Sequence, residues 1–307
     1  MPLCAQGTAM DRVTLSAAVL FQYRRFTRYD SPYAAHDAGQ AIDLYPDPGT
    51  APSPVDGAVR DVRYVDAPPK PYAADEDALI VVDTGQRLAR ILHVDPVVEP
   101  GDTVAVGDSL GETIRAGFFA PWVPDHIHLG FRPRDADPYR ASGSLPLETA
   151  VDPVGLSWDG TGTVVDRGET WARLNRPAHP DPGEYFVGLA SGGVLPGKRR
   201  SGETGVLPGK RRSGETGVLD GGLPHYEYGG LLGGGERAEL AGQRVGTVDG
   251  EVVEWDDVTV LANGDPVTGI ALFCARDTFG IKLVGERIDL AVGESVAVTV
   301  VRDGDRP

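Results

Sequence analysis

Asp125-His126-Ile127-His128-Leu129-Gly130-Phe131 is a short apolar run that carries two histidines two positions apart. In a β-strand, residues i and i+2 point to the same face, so His126 and His128 look one way while Ile127 looks the other. The run therefore predicts a strand that aims two imidazoles at one spot. Upstream, His36 and Asp43 stand in His36-Asp-Ala-Gly-Gln-Ala-Ile-Asp43-Leu, and His93 ends Ala-Arg-Ile-Leu-His93. Taken singly, each piece has a plain structural reading. A lone His-x-His is more often a pair of structural histidines, and an aspartate before Leu-Tyr-Pro is usually a turn acceptor. The interest lies in their combination.

Short apolar segments broken by Gly, Pro and Asp predict strands at Val13–Tyr23, Ala41–Tyr45, Ala58–Tyr64, Ala78–Asp83, Arg87–His93, Thr103–Val106, Ser109–Ile114 and His126–Phe131. Their spacing favours an antiparallel sheet. Further strands are expected near Gly162–Asp166 and Thr170–Leu174. Six more follow between Arg244 and Val301, with Gly-Asp and Asn-Gly turns that suggest a small β-sandwich or barrel. The fold class is thus mainly β. Four segments are expected: an N-terminal β domain over 1–135, a β-rich extension over 136–190, a Gly-rich linker over 191–236 and a C-terminal β domain over 237–307.

In order along the chain stand His36…Asp43-Leu-Tyr, Ser53-Pro-Val-Asp-Gly-Ala-Val59, Leu92-His93, Pro100-Gly-Asp-Thr-Val-Ala-Val-Gly-Asp-Ser-Leu-Gly111 and His126-Ile-His128. This series resembles the lysostaphin-type (Gly-Gly endopeptidase) zinc metallopeptidases over roughly residues 30 to 133. The resemblance implies the compact antiparallel β fold of that family, related to biotinyl/lipoyl barrels. It implies Zn2+ held by His36, Asp43 and His128, with His93 and His126 as the non-ligand catalytic pair. One spacing departs from the family pattern. The first histidine and the aspartate are usually four residues apart, but here the gap is seven, and Gln40 occupies the usual position. Asp43 is preferred because Leu-Tyr-Pro and the later Val-Asp-Gly follow it as in the family. A lengthened turn can still return both side chains to one metal. A biotinyl or lipoyl carrier is rejected, because it needs a lysine at a hairpin tip and none occurs between Val55 and Val65.

Zinc takes imidazole nitrogen and carboxylate oxygen, and a catalytic site keeps one of its four positions open for water. The expected function is hydrolysis of a peptide bond by metal-activated water, with a peptide or an envelope polymer as substrate. The alternative is a catalytically silent member of the same fold that acts as a binding or regulatory module.

The chain has 307 residues, a net charge of −16 and a pI near 4.7. Lysine occurs only at Lys70, Lys198, Lys210 and Lys282, and aspartate outnumbers glutamate. This balance suggests adaptation to high salt and disfavours non-specific nucleic-acid binding. Cys4 and Cys274 are too few and too far apart for a disulfide framework. No run approaches the roughly 20 apolar residues of a membrane span. Val13–Phe21 lacks the preceding positive charges and the cleavage site of a signal peptide, and Met10 offers an alternative start, so a cytoplasmic location is expected, with export by another route left open. Gly193–Thr204 is repeated word for word as Gly205–Thr216, which reads as a duplicated loop. Trp158, Trp171, Tyr185 and Phe186 read as a small core.

Overall fold

The computed structural model describes residues 12–192 and 217–302. The duplicated loop, Cys4 and Met10 lie outside the described residues. Strands dominate, as the alternation predicts. Seven of them form an antiparallel run in the N-terminal half, in spatial order Arg25–Thr27, Ala41–Tyr45, Ile127–Pro133, Arg87–Leu92, Glu76–Asp83, Gly57–Asp66 and Thr103–Val104. Ile127–Pro133 sits in the middle of this sheet. Its register pairs His128 with Asp43 on one side and with Leu92 on the other. The opposite face, carrying Ile127, Leu129, Ile42 and Leu44, is fully buried in the N-terminal core. Because a slip of one residue would turn the buried leucines and isoleucines outward, the core locks the register that brings His128 beside Asp43.

In the C-terminal half a second antiparallel run passes through Thr161–Arg167, Trp171–Leu174, Lys282–Val284, Gly269–Leu272, Val218–Leu223 and Tyr228–Leu232. It continues through Val252–Trp255, Gln243–Asp249 and Arg237–Leu240. The two halves are joined by backbone pairing, since Arg25 and Phe26 face Ala275 and Cys274 across a strand pair. Side chains close the same seam. Phe186 packs edge-on to Phe26 at 5.0 Å, and Phe186, Val218, Leu232 and Cys274 belong to the N-terminal core. Trp158 and Phe186 are buried as expected, while Trp171 stays half-buried at the seam.

Three expectations are corrected. Val13–Tyr23 is not one strand: Val13–Leu15 pairs in parallel with Leu147–Thr149, and the chain then turns into a short helix, Ala17–Leu20. Ser16 caps that helix by accepting from the Val19 amide, which offers the backbone an alternative to further pairing. The expected extension is not separate, for Val187–Ala190 pairs with Val218–Leu223 and Trp158, Val164 and Leu174 share the C-terminal core. The expected linker also contains structure, because Val218–Leu223 and Tyr228–Leu232 are strands, buried except at Tyr228. Their glycines mark close packing and not looseness. A Cβ at Gly230 would run into the Tyr29 ring, and one at Gly229 into Trp255.

This packing yields a prediction. Gly230→Ala forces Tyr29 to move within a full core, and overpacking of this kind costs about 1–3 kcal/mol. The urea midpoint of the variant is expected to fall accordingly, and an unchanged midpoint would show that Tyr29 yields without cost.

Candidate metal centre

The longer gap between His36 and Asp43 is taken up by a 3-10 turn, Ala34–Gly39. Ala38 and Gly39 at its end have φ of +53° and +66°, and the chain then enters Ala41–Tyr45. The turn carries His36 back over the strand. His36 Nε2 lies 3.0 Å from His128 Nδ1 and 3.3 Å from Asp43 Oδ1, and His128 Nδ1 lies 3.0 Å from Asp43 Oδ1. For zinc bonds of about 2.05 Å the edge of a coordination tetrahedron is about 3.3 Å. The three atoms therefore stand close to the spacing of three ligands of one ion, on residues no more than 7% exposed.

Proton accounting supports the same conclusion. His36 Nδ1 is 2.9 Å from the Arg28 carbonyl oxygen, which can only accept, so Nδ1 carries the hydrogen and Nε2 turns a lone pair to the centre. Asp43 contributes a carboxylate oxygen. With neutral rings, either one hydrogen on His128 Nδ1 is shared between His36 Nε2 and Asp43 Oδ1, or all three atoms converge as acceptors with no hydrogen among them. A cation satisfies all three. The residues present could thus hold a metal ion, and their donor set suits zinc, with the Arg28 carbonyl orienting the His36 ring from outside.

Charge is distributed to match at Asp43 and His128 and opposes metal binding at His36. Burial pushes the His128 pKa down to about 4 despite its hydrogen bond to Asp43, and burial takes His126 down to about 3. Burial would lower His36 too, but the charge of Asp43 and their hydrogen bond more than offset it and its pKa rises, so a metal at this centre must displace the Nε2 hydrogen of the protonated ring. Burial would raise Asp43, yet His36 and His126 hold it well below the usual carboxylate range. Asp43 is thereby kept charged and His128 neutral, the forms in which each is a ligand.

His93 and His126 stand beside this triad, with ring centroids 5.2 Å apart, and His93 is 5.9 Å from His128. His93 has φ +70°, rare for a residue with a side chain, at the break between Arg87–Leu92 and Val94–Pro96. Asp77 clamps it there. One Asp77 oxygen accepts from the His93 and Ala78 amides at 2.9 and 2.8 Å, and the other meets His93 Nδ1 at 2.6 Å. His93 Nε2 is thereby left with its lone pair. His126 Nδ1 donates to the Pro124 carbonyl at 2.9 Å, and Nε2 lies 3.4 Å from Asp43 Oδ2. All five residues named from the sequence line one cavity of about 340 Å³, walled by Tyr33, Phe118 and Phe119 and, from the C-terminal half, by Tyr226.

Sequence reasoning missed Asp77, Asp30, Tyr226 and Asp220. Asp30 lines the cavity with Oδ1 buried and unpartnered, and burial followed by the charge of Asp220 pushes its pKa up to about 7. Asp220 accepts from Thr27 Oγ1 and, at 2.7 Å, from the Arg28 amide, so the C-terminal half holds the residue whose carbonyl orients His36. No local motif marks any of these four.

The histidine shifts predict acid sensitivity in the metal-free protein. His126 and His128 have folded pKa values below the unfolded value of about 6.5, so protons favour unfolding as pH falls through the interval from about 6.5 toward 4. His36, shifted upward, has its contribution fully present below 6.5, and Asp43 loses its own only below about 4. Each of the two histidines removes at most about 1.4 kcal/mol per pH unit there. Urea titrations at pH 7, 6 and 5 are expected to give falling midpoints, and a flat series would contradict the buried neutral assignment.

Two family models match the chain, one described as the N-terminal domain of a domain of unknown function (DUF8155) over residues 14–149, the other as the C-terminal domain of the same family over 154–301. Among curated proteins, nothing matches. No helix among the described residues is long and apolar enough to cross a membrane. The family boundary falls just after the strand Leu147–Thr149, so the five clustered residues lie in the N-terminal domain and Tyr226 and Asp220 in the C-terminal one. Matched in both halves and in the same order, the chain belongs to the DUF8155 family.

Proposed function

We propose that this chain is a zinc-dependent metallopeptidase whose ligands are His36, Asp43 and His128. The observation that carries the reading is the convergence of His36 Nε2, Asp43 Oδ1 and His128 Nδ1 at 3.0–3.3 Å from one another, beside two further histidines in one cavity. A zinc ion bound there would supply Lewis acidity, polarising a carbonyl and bringing a water to a pKa of about 7.

The remaining chemistry belongs to the side chains. His93 Nε2 is free to take a proton from the attacking water, because Asp77 holds the hydrogen on Nδ1 and stabilises the imidazolium that forms. The same Nε2–H can then pass its proton to the departing amine. His126, with its pKa near 3, stores no proton at neutral pH and serves to accept a hydrogen bond and orient the water. Phe118, Phe119 and Tyr226 exclude bulk water and leave room for a peptide segment in an aromatic-walled cleft. The resemblance to lysostaphin-type peptidases supports the same assignment residue by residue.

A second reading has one observation in its favour. His36, Asp43, His93, His126 and His128 are all 7% exposed or less, which suits a closed binding or regulatory module as well as an enzyme. Variants separate the two. Zinc near one per chain is expected in the wild type, with loss in His36→Ala and His128→Ala and retention in His93→Ala. Asp77→Asn is expected to keep zinc and to lower turnover of a peptide library roughly 10²–10⁴-fold, the share of a general base. Zinc binding without turnover of any peptide would favour the silent module, and no zinc at all would end the metallopeptidase proposal.

A further inference from the structure

A second and larger cavity, about 480 Å³, opens at the seam between the two halves. Arg25, Tyr45 and Trp122 line it from the N-terminal half, and Trp171, Phe273 and Lys282 from the C-terminal half. Most cations around it are neutralised: Arg24 pairs with Asp47 and Asp277, Arg115 with Asp125, and Arg173 with Asp166. Arg25 and Lys282 are different. Among the described residues neither has a carboxylate within 4.0 Å.

The Arg25 guanidinium is held by aromatic faces, 4.0 Å from the Tyr45 centroid and 4.5 Å from that of Phe273. Lys282 is 6% exposed; its Nζ donates to the Trp122 carbonyl and lies 5.2 Å from the Trp171 ring. Both also line a narrow recess that leads to Asp30, which forms an ion pair with neither. For Lys282, burial without a carboxylate in contact pushes the pKa down to about 7, and a carbonyl or a ring face offsets only part of that cost. Asp30 acts on both across the recess but beyond ion-pair distance, so in a chain of net charge −16 this aromatic cavity holds an arginine and a lysine with no carboxylate in direct contact among the described residues. The volume suits a small organic molecule, and a junction between domains is a common place for such a site.

We propose that the seam cavity binds a small organic oxyanion, a carboxylate or a phosphate ester, with its charged head on Arg25 and Lys282 and its flat apolar body against Trp122 and Trp171. The site does not depend on the zinc assignment. Tyr45 and Val123 stand between it and the metal-facing cavity, with Tyr45 5.0 Å from the His126 ring, so an occupant would press on the wall of that centre without entering it.

The test is calorimetric titration of the metal-free full-length chain with benzoate, phenyl phosphate and neutral benzamide at constant ionic strength. At least one of the two anions is expected to bind tenfold or more tightly than benzamide, and the tighter of them identifies the head group. Lys282→Met, which keeps the apolar stem, and Arg25→Gln are each expected to weaken that anion at least tenfold. Equal binding of benzamide would mean an apolar cleft and overturn the proposal. So would absence of binding by all three, or anion affinity unchanged in the folded variants. The wild-type comparison decides even where a variant fails to fold, and because no zinc is present, failure here is distinct from failure of the metal site.

Discussion

A carboxylate removed from water must be met by positive charge or by donors, and Asp43, only 3% exposed, is met by three imidazoles. The N-terminal architecture, held in register by its core, meets this constraint from three sides. The pairing of Ala41–Tyr45 with Ile127–Pro133 places His128 alongside, the preceding 3-10 turn folds His36 over the top, and His126 enters from the strand end. The imidazoles cannot all be charged in so dry a setting, and burial holds His126 and His128 neutral. A divalent cation among His36, Asp43 and His128 would resolve the conflict between one buried negative charge and two lone pairs.

The C-terminal half takes part in this balance. Its Asp220 receives the Arg28 amide and the Thr27 hydroxyl, while Glu251 pairs with the Arg28 guanidinium at 2.8 Å. Arg28 in turn offers its carbonyl to His36. The chain of contacts runs from one domain through a single residue to a proposed ligand. Tyr226 closes the cavity from the same side. Two β domains joined by backbone pairing and a shared core thus present their functional groups along the seam.

Strand type and position in the N-terminal half were legible because the alternation of apolar and polar residues is a local signal. Ala41–Tyr45, Arg87–Leu92 and Ile127–Pro133 appear close to where periodicity puts them. His36, Asp43, His93, His126 and His128 were legible as a set through motif order, and the structure brings them into one cavity. The misreadings have local causes as well. Ser16 supplied a helix cap within an apolar run, and Gly229 and Gly230 looked like linker residues because composition does not reveal that Trp255 and Tyr29 press on them.

By itself the sequence determined which side chains share a face, since a period of two follows from strand geometry, and it supplied donors of the right chemistry for a metal. It also determined an acidic chain in which lysine is rare. Only the tertiary structure decided that a seven-residue gap still returns His36 to Asp43, that Asp77 clamps His93, and that Asp220 and Tyr226 reach the site from the other domain. The contacts join residues 7, 16 and 192 positions apart, and Tyr226 shares a cavity with a histidine 190 positions before it. Such pairings depend on sheet register and domain docking, which are set by burial of the whole core and leave no mark in any one local stretch.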